Sequence, residues 1–417
     1  TISYLFKMNF TKYNEAVDWL FKQAPNYQID GQKAYKPGLG NIQKLCDFFG
    51  NPQKKLQTIH IGGTNGKGST SNMIASILQE AGYKVGLYNS PHLVDFTERI
   101  KINGINCDKK FVFDFIQKLK HLPSDILPSF FEFTTIMAFE YFHQQEVDFA
   151  IIEVGLGGRL DSTNIITPII SAITNIALDH QNILGNTLEE IAIEKAGIIK
   201  KNTPIISGDE NEKVKQIISQ KAKDLNAPFF DATTLKTNLK TDLKGNYQRK
   251  NIRVAVAICQ TLQNFEIFLS EENIKNGLQN VLKNTNFLGR WYEFSQQPLI
   301  ICDTGHNQAG LEEVFQQLNE YPLYKHIVLG FVNDKKIDKV LKILPQNSQF
   351  YFVKPSIARG RHPKDYEELL KNTKIKYKIF DDVNSGFLSA SNCCSEGEMI
   401  FVGGSNFVVG EFLEKNQ

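Results

Sequence analysis

A pair of α/β domains, the first carrying a mostly parallel sheet, is what this 417-residue chain predicts. Three observations support that expectation. Strand-like and helix-like stretches alternate from "LQTIHI" (56–61) onward, the pattern of a sheet crossed by helices. "VDFAIIEVG" and "PIISAITNI" are continuous apolar runs, as in strands covered on both faces. After "LGRWYEFS" (288–295) the alternation begins again, which places a larger domain at 1–295 and a smaller one at 296–417.

Taken in order, the first fifty residues read as helical, because "YNEAVDWLF" and "NIQKLCDFF" space their apolar residues by three and four. "LQTIHI" is a β-rich run, a glycine loop follows it, and "TSNMIASILQEAG" has helical period as far as Gly82. "KVGLYNS" reads as a strand and "FEFTTIMAFEYFHQQ" as a helix. "TLEEIAIEKAGIIK" is a helix opened by Thr187, with the strand "TPIISG" after it. In the second domain "LIICDTGHN" is a strand ending in polar residues, "LEEVFQQLNEY" a helix and "HIVLGFV" a strand. "MIFVGGSNFVVGEFL" completes the series as strand, turn and helix.

Composition narrows the classes. A formal charge of +2 generates no strong field, so neither nucleic acid nor an acidic membrane surface is an expected partner. No apolar run approaches the roughly 18 residues that span a bilayer. The opening "TISYLFKMNF" lacks the charged start and long apolar core of a secretory signal. Cys46, Cys107, Cys259, Cys302, Cys393 and Cys394 are scattered without a C-x-x-C pair, which suits reduced thiols better than a disulfide framework or a zinc site. The expectation is a cytoplasmic monomer.

The loop "TIHIGGTNGKGSTS" (58–71) carries the first chemistry. Between a strand and a helix, glycines let backbone N–H groups approach a phosphate chain, and the helix start adds partial positive charge. Lys67 would offset charge on the outer phosphates, and a hydroxyl of Ser69 or Thr70 could bind Mg²⁺. The loop departs from the usual P-loop in placing Gly68 between the lysine and those hydroxyls. A tight strand–helix turn with a solvent-facing lysine is the plainer alternative. Ser90, Glu153 and Asp179–His180 follow three further strands, and strand carboxyl ends gather catalytic groups in such sheets. Glu153 could instead cap a helix, and His180 could be an ordinary loop histidine. "GLGGRLDSTN" follows Glu153 directly, so Arg159 and Asp161 are expected in the same cleft, although Asp161 would also serve as a turn cap.

"GGTNGKGST", "NSPHLVDFTERIKING", "FEFTTIMAF", "EVGLGGRLDSTN", "ALDHQNILGNTLEEIAIEKAGI", "GNYQRKN", "LGRW" and "DTGHN" occur in that order. Together they resemble the folylpolyglutamate synthase / dihydrofolate synthase family, within the Mur ligase group of ATP-dependent amide-forming enzymes. The resemblance is densest over 58–200 and 245–308 and looser beyond about 310. It implies a P-loop ATPase domain with a mostly parallel sheet, followed by a smaller Rossmann-like α/β glutamate-ligase domain.

The resemblance also implies roles. Thr64, Asn65, Gly66, Lys67, Gly68 and Ser69 would cradle ATP, with Ser69, Ser90, Glu153 and His180 holding Mg²⁺. Lys195 would be the family's carbamylated lysine; by residue type alone it reads as a solvated helix lysine. Asn251 and Gln248 match the adenine-contacting segment, where the family more often has His at 248. Arg290 would reach the phosphates, and Asp303 with His306 the ribose and nucleotide, despite Thr304–Gly305 replacing the commoner Gly-Ala. Arg159 and Asp161 would lie near a pterin-bearing substrate. The implied reaction activates the carboxylate of dihydropteroate or a folate as an acyl phosphate, attacked by the amine of L-glutamate, with the second domain closing to exclude water. A Mur-type ligase acting on a cell-wall precursor, a switch or motor ATPase, and a plain binding module are the alternatives. Whether the first glutamate, later glutamates or both are added stays open, with both favoured.

Overall fold

The computed structural model describes residues 11–23, 38–333 and 337–416; the opening "TISYLFKMNF" lies outside them. The chain divides into two compact units. The first comprises Thr1–Ala177, Gln181–Asp242 and Arg249–Asn286, and the second Leu178–His180, Leu243–Gln248 and Phe287–Gln417.

In the first unit the strands are β1 (Thr58–Gly62), β2 (Val85–Tyr88), β3 (Ile100–Ile102), β4 (Ile105–Asn106), β5 (Phe149–Glu153), β6 (Ile170–Ile173), β7 (Ile205–Ser207) and β8 (Phe229–Asp231). Their order is β4-β3-β2-β5-β1-β6-β7-β8. All neighbours are parallel except β3, which runs antiparallel to β2 and to β4. β1, β2, β5 and β6 are buried along their whole length, as strands covered on both faces are, and β5 is apolar from Phe149 to Ile152.

The helix Phe130–Gln144 packs with Tyr88, Ala150 and Ile152 in one core cluster. Its start is a capping box: Ser129 Oγ accepts from Glu132 N, and Glu132 returns the bond to Ser129 N. The helix Lys67–Glu80 is buried from Gly68 to Leu78. Beside it lies the helix Glu271–Gln279, where Ser76 Oγ donates to the Gly277 carbonyl at 2.6 Å. A Cβ at 277 would overlap the Ile77 backbone, so only glycine allows this approach.

In the second unit the strands are β9 (Tyr292–Gln296), β10 (Leu299–Asp303), β11 (Lys325–Gly330), β12 (Ser348–Val353), β13 (Lys376–Phe380) and β14 (Met399–Gly403). Their order is β13-β12-β11-β14-β10-β9, parallel except for β9 at the edge. The longest stretch of this unit is Phe287–Gln417, and Tyr292–Ser295 of "LGRWYEFS" belong to β9, the antiparallel partner of β10.

Candidate active site

The glycine loop leaves β1 and enters the helix Lys67–Glu80, as expected. Gly63 (φ +137) and Gly66 (φ +85) both occupy the region that side chains avoid. A Cβ on Gly63 would overlap Thr174 Oγ1, and one on Gly66 would overlap Asn251 Oδ1. Asn251 is buried and lies directly against the loop. Lys67 Nζ donates to the Gly63 and Thr64 carbonyls, each at 3.1 Å. Gly68 and Ser69 are buried in the first helical turn.

The segment after β6 holds this loop in shape. Thr64 N donates to the Asn175 carbonyl at 2.8 Å, and Asn65 N to Asn175 Oδ1 at 2.8 Å. Thr174 Oγ1 bonds the carbonyls of Gly62 and Asn65, and Thr64 Oγ1 exchanges bonds with Ala177.

Strand order brings Ser90 and Glu153 to the same edge. β2, β5, β1 and β6 are parallel neighbours, so their carboxyl ends coincide. Glu153, buried at the end of β5, accepts from Asn89 Nδ2 at 2.8 Å and from Ser90 N at 3.2 Å. Asn89 Oδ1 in turn accepts from Asn72 Nδ2, which also donates to the Gly68 carbonyl. A continuous chain therefore joins the strand-end carboxylate to the lysine loop.

Lys195 belongs here too, which corrects its reading as a solvated helix lysine. It is 4% exposed, and its Nζ donates to the Gly63 carbonyl at 2.8 Å. The capping box of Thr187 and Glu190 starts its helix, Leu188–Ala196, and the loop after β5 packs on that helix's end. Arg159 forms a forked pair with Glu194 there, with Nη2 to Oε1 at 2.8 Å.

Asp161 is turned inward. Its carboxylate accepts from Leu156 N, Thr163 N and Thr163 Oγ1, so it caps this turn. Burial pushes its carboxyl above the usual range, opposed by those bonds. Thr163 Oγ1, donating to Asp161, accepts from His60 Nε2 at 2.8 Å, so the His60 proton is on Nε2.

Burial, with Lys200 nearby, pushes the His60 pKa down to about 3. The unfolded chain then binds a proton that the folded chain refuses between about pH 3 and 6.5, so stability rises with pH across that window and is flat above it. His92, buried against Arg99, carries the same sign. Urea unfolding from about pH 7 down to about pH 5 is expected to show falling stability, with a shallower slope in His60→Gln. Equal slopes would mean that His60 is not held neutral.

In the second unit Asp303 ends β10, buried, and accepts from Trp291 N at 2.8 Å, from Gly305 N at 2.7 Å and from the Tyr247 hydroxyl. Burial pushes its carboxyl up, with Arg290 opposing. These bonds make Asp303 the organiser of its turn. Trp291, at φ +49, is fixed by one of them. Arg290 donates to the Gly289 carbonyl and lies over the Phe287 ring. His306 Nδ1 faces the Thr304 carbonyl and so carries a proton, which turns Nε2 toward Asp179 at 3.4 Å. Asn307 Nδ2 donates to the same Asp179 carboxylate at 3.0 Å. His180 stands beside Asp179 at φ +48, and this short segment groups with the second unit.

The Mur ligase middle domain matches residues 61–278, and the Mur ligase glutamate ligase domain matches 289–406. The dihydrofolate synthase/folylpolyglutamate synthase of Bacillus subtilis is 31% identical, over 97% of this chain and 99% of its own length. The chain belongs to the folylpolyglutamate synthase / dihydrofolate synthase family. The dihydrofolate synthetase of Saccharomyces cerevisiae is 32% identical over 91% of this chain and 98% of its own. Among solved structures, E. coli FolC in complex with DHPP and ADP has a TM-score of 0.84 at 27% identity, covering 97% of each chain. A bifunctional folylpolyglutamate synthase/dihydrofolate synthase with Mn, AMPPNP and L-glutamate has a TM-score of 0.82 at 28% identity, covering 96% of this chain and 97% of its own. This membership makes the protein an ATP-dependent ligase and sets aside the cell-wall branch of the Mur group.

Several supporting residues escaped the sequence reading. Asn72, Asn89, Thr174 and Asn175 are small polar side chains whose partners lie elsewhere in the chain, and each ties the family's loop to a neighbouring strand end. Their positions after predicted strands or inside the loop's helix were the available signal. Tyr247, within the "GNYQRKN" stretch, was the other, since its hydroxyl serves Asp303.

Proposed function

We propose that the protein adds L-glutamate both to dihydropteroate and to folate glutamates, consuming ATP and releasing ADP and phosphate. The observation that carries the reading is the chain of bonds from Glu153 through Asn89 and Asn72 to the Lys67 loop. It sets an anionic strand end beside a glycine cradle that any Cβ would fill. The near full-length match to bifunctional relatives supports two activities.

Thr64 to Ser69 cradle the phosphates through backbone N–H groups, with Lys67 offsetting charge on the group transferred. By resemblance, Asn251 corresponds to an adenine contact, and Arg290 and His306 correspond to nucleotide contacts. Asp303 acts through the turn it organises, as a positioning residue. The buried Glu153 carboxylate and the Ser69 and Ser90 hydroxyls are hard oxygen donors of the kind Mg²⁺ takes, and His180 joins them by resemblance. When bound, that ion offsets charge on the phosphates. Lys195, held at the Gly63 carbonyl, is the carbamylation position, and Arg159 faces the pterin side.

The substrate carboxylate attacks the γ-phosphorus and ADP leaves. The glutamate amine then attacks the acyl carbon, phosphate departs, and the amine proton passes to solvent. Positioning and electrostatics supply most of the catalysis, so no Ser-His-Asp set is required. Incubation with ATP, Mg²⁺ and glutamate, with dihydropteroate in one reaction and a reduced folate monoglutamate in another, is expected to add one glutamyl mass or more in both. A gain in only one reaction removes the dual activity; a gain in neither overturns the proposal.

A further inference from the structure

Cys393 and Cys394 sit next to each other at the end of the helix Val383–Cys393, with no histidine near them in sequence. Folding supplies one. His326 is the second residue of β11, and Glu398 immediately precedes β14, the neighbour of β11 in the second sheet. One ring nitrogen of His326, the sulfur of Cys394 and a carboxylate oxygen of Glu398 all lie within 4.8 Å of one another. We propose that His326, Cys394 and Glu398 form a binding site for a divalent cation of the zinc class, with water as fourth ligand.

Donor chemistry selects the ion. Nitrogen, sulfur and a single carboxylate oxygen suit Zn²⁺ and its neighbours, whereas Mg²⁺ takes oxygen. Zn–N near 2.0 Å and Zn–S near 2.3 Å place tetrahedral ligand atoms about 3.5 Å apart, a closing that side-chain rotation can supply. His326 Nε2 already lies 2.9 Å from Glu398 Oε2. On the other side of the ring, Nδ1 lies 2.9 Å from the Tyr351 hydroxyl. When an ion displaces the proton between Nε2 and Glu398, Nδ1–H donates to Tyr351, the arrangement that orients metal-bound histidines. Glu398 is itself steadied by Ser395 N at 2.8 Å.

His326 is buried while Cys394 and Glu398 are half-buried, so an ion can enter from solvent. Ligation as thiolate displaces the Cys394 proton, so binding strengthens with pH. Cys393 is turned instead toward Lys378. The site lies at the amino ends of β11 and β14, the opposite end of the sheet from the Asp303 turn. A metal there would staple the helix end to two strand starts.

Co²⁺ is the probe. The metal-free full-length protein, in excess Mg²⁺ to fill oxygen sites, is titrated with Co²⁺ and followed by absorption. The expected result is one Co²⁺ per chain with a thiolate-to-cobalt charge-transfer band, displaced by Zn²⁺. The band is retained in Cys393→Ser and lost in Cys394→Ser, and Tyr351→Phe weakens binding about 10-fold. Zn²⁺ should raise the melting temperature of the parent protein but not of Cys394→Ser. Absence of the band, or its persistence in Cys394→Ser with a normal melt, overturns the proposal.

Discussion

Lys67→Ala is expected to leave a folded protein whose ligation rate falls about 10²–10³-fold or more, the cost of removing one preorganised charge from a developing anion. Stability should change little. Nζ serves two backbone carbonyls of a part-buried loop, and such bonds are worth about 1 kcal/mol each, recoverable in part from water. Thermal melts and release of ADP with and without glutamate measure the two effects separately. Retained ligation would show that the loop is not the phosphate site, and a collapsed melt would show that the lysine is chiefly structural. Arginine is not an equivalent replacement, because its planar fork is larger than a point-charge ammonium.

Gly66→Ala is expected to cost stability and activity together. Position 66 has φ +85, where a side chain costs about 1–2 kcal/mol, and its Cβ would overlap Asn251 Oδ1. The double variant Gly66→Ala/Asn251→Ala separates these terms. It removes the overlap but keeps the backbone strain, so its loss in urea unfolding should be smaller than the sum of the two single losses. Ligation should not return, since Asn251 is the proposed adenine contact. If Gly66→Ala matched the parent in both stability and ligation, the loop would have to differ from the geometry described.

Much of the fold was legible because it rests on local rules. Continuous apolar runs marked β5 and β6, the β-rich "LQTIHI" marked β1, and the Thr187 cap marked the start of its helix. Among the elements missed are some whose pattern depends on distant partners. β9 is half-buried and gains its identity from pairing with β10, and β13 alternates at an exposed position beside β12. The β3–β4 hairpin is too short to show a period.

The site was legible in its charged residues and opaque in its amides. Lys67 and Glu153 announce themselves by type and position. Asn72 and Asn89 matter only because three-dimensional packing stacks them between those two. Asp161 carried two readings in the sequence, a chemical role and a turn cap, and its donors Thr163 and Leu156 show that it caps the turn. Lys195 reads as solvated by residue type alone; the Gly63 carbonyl that receives it lies 132 residues away.

The close approach at Gly277 has a consequence for how the phosphate loop is aimed. The helix that carries Lys67 cannot lean, because its flank rests on the backbone of residues 271–279 with no side chain between. A shim of a single methyl group at 277 would tilt that shaft and carry the loop with it. The orientation of Lys67, the proposed phosphate lysine, is thus governed by a glycine more than two hundred positions further along the chain, at a place no active-site inspection would visit.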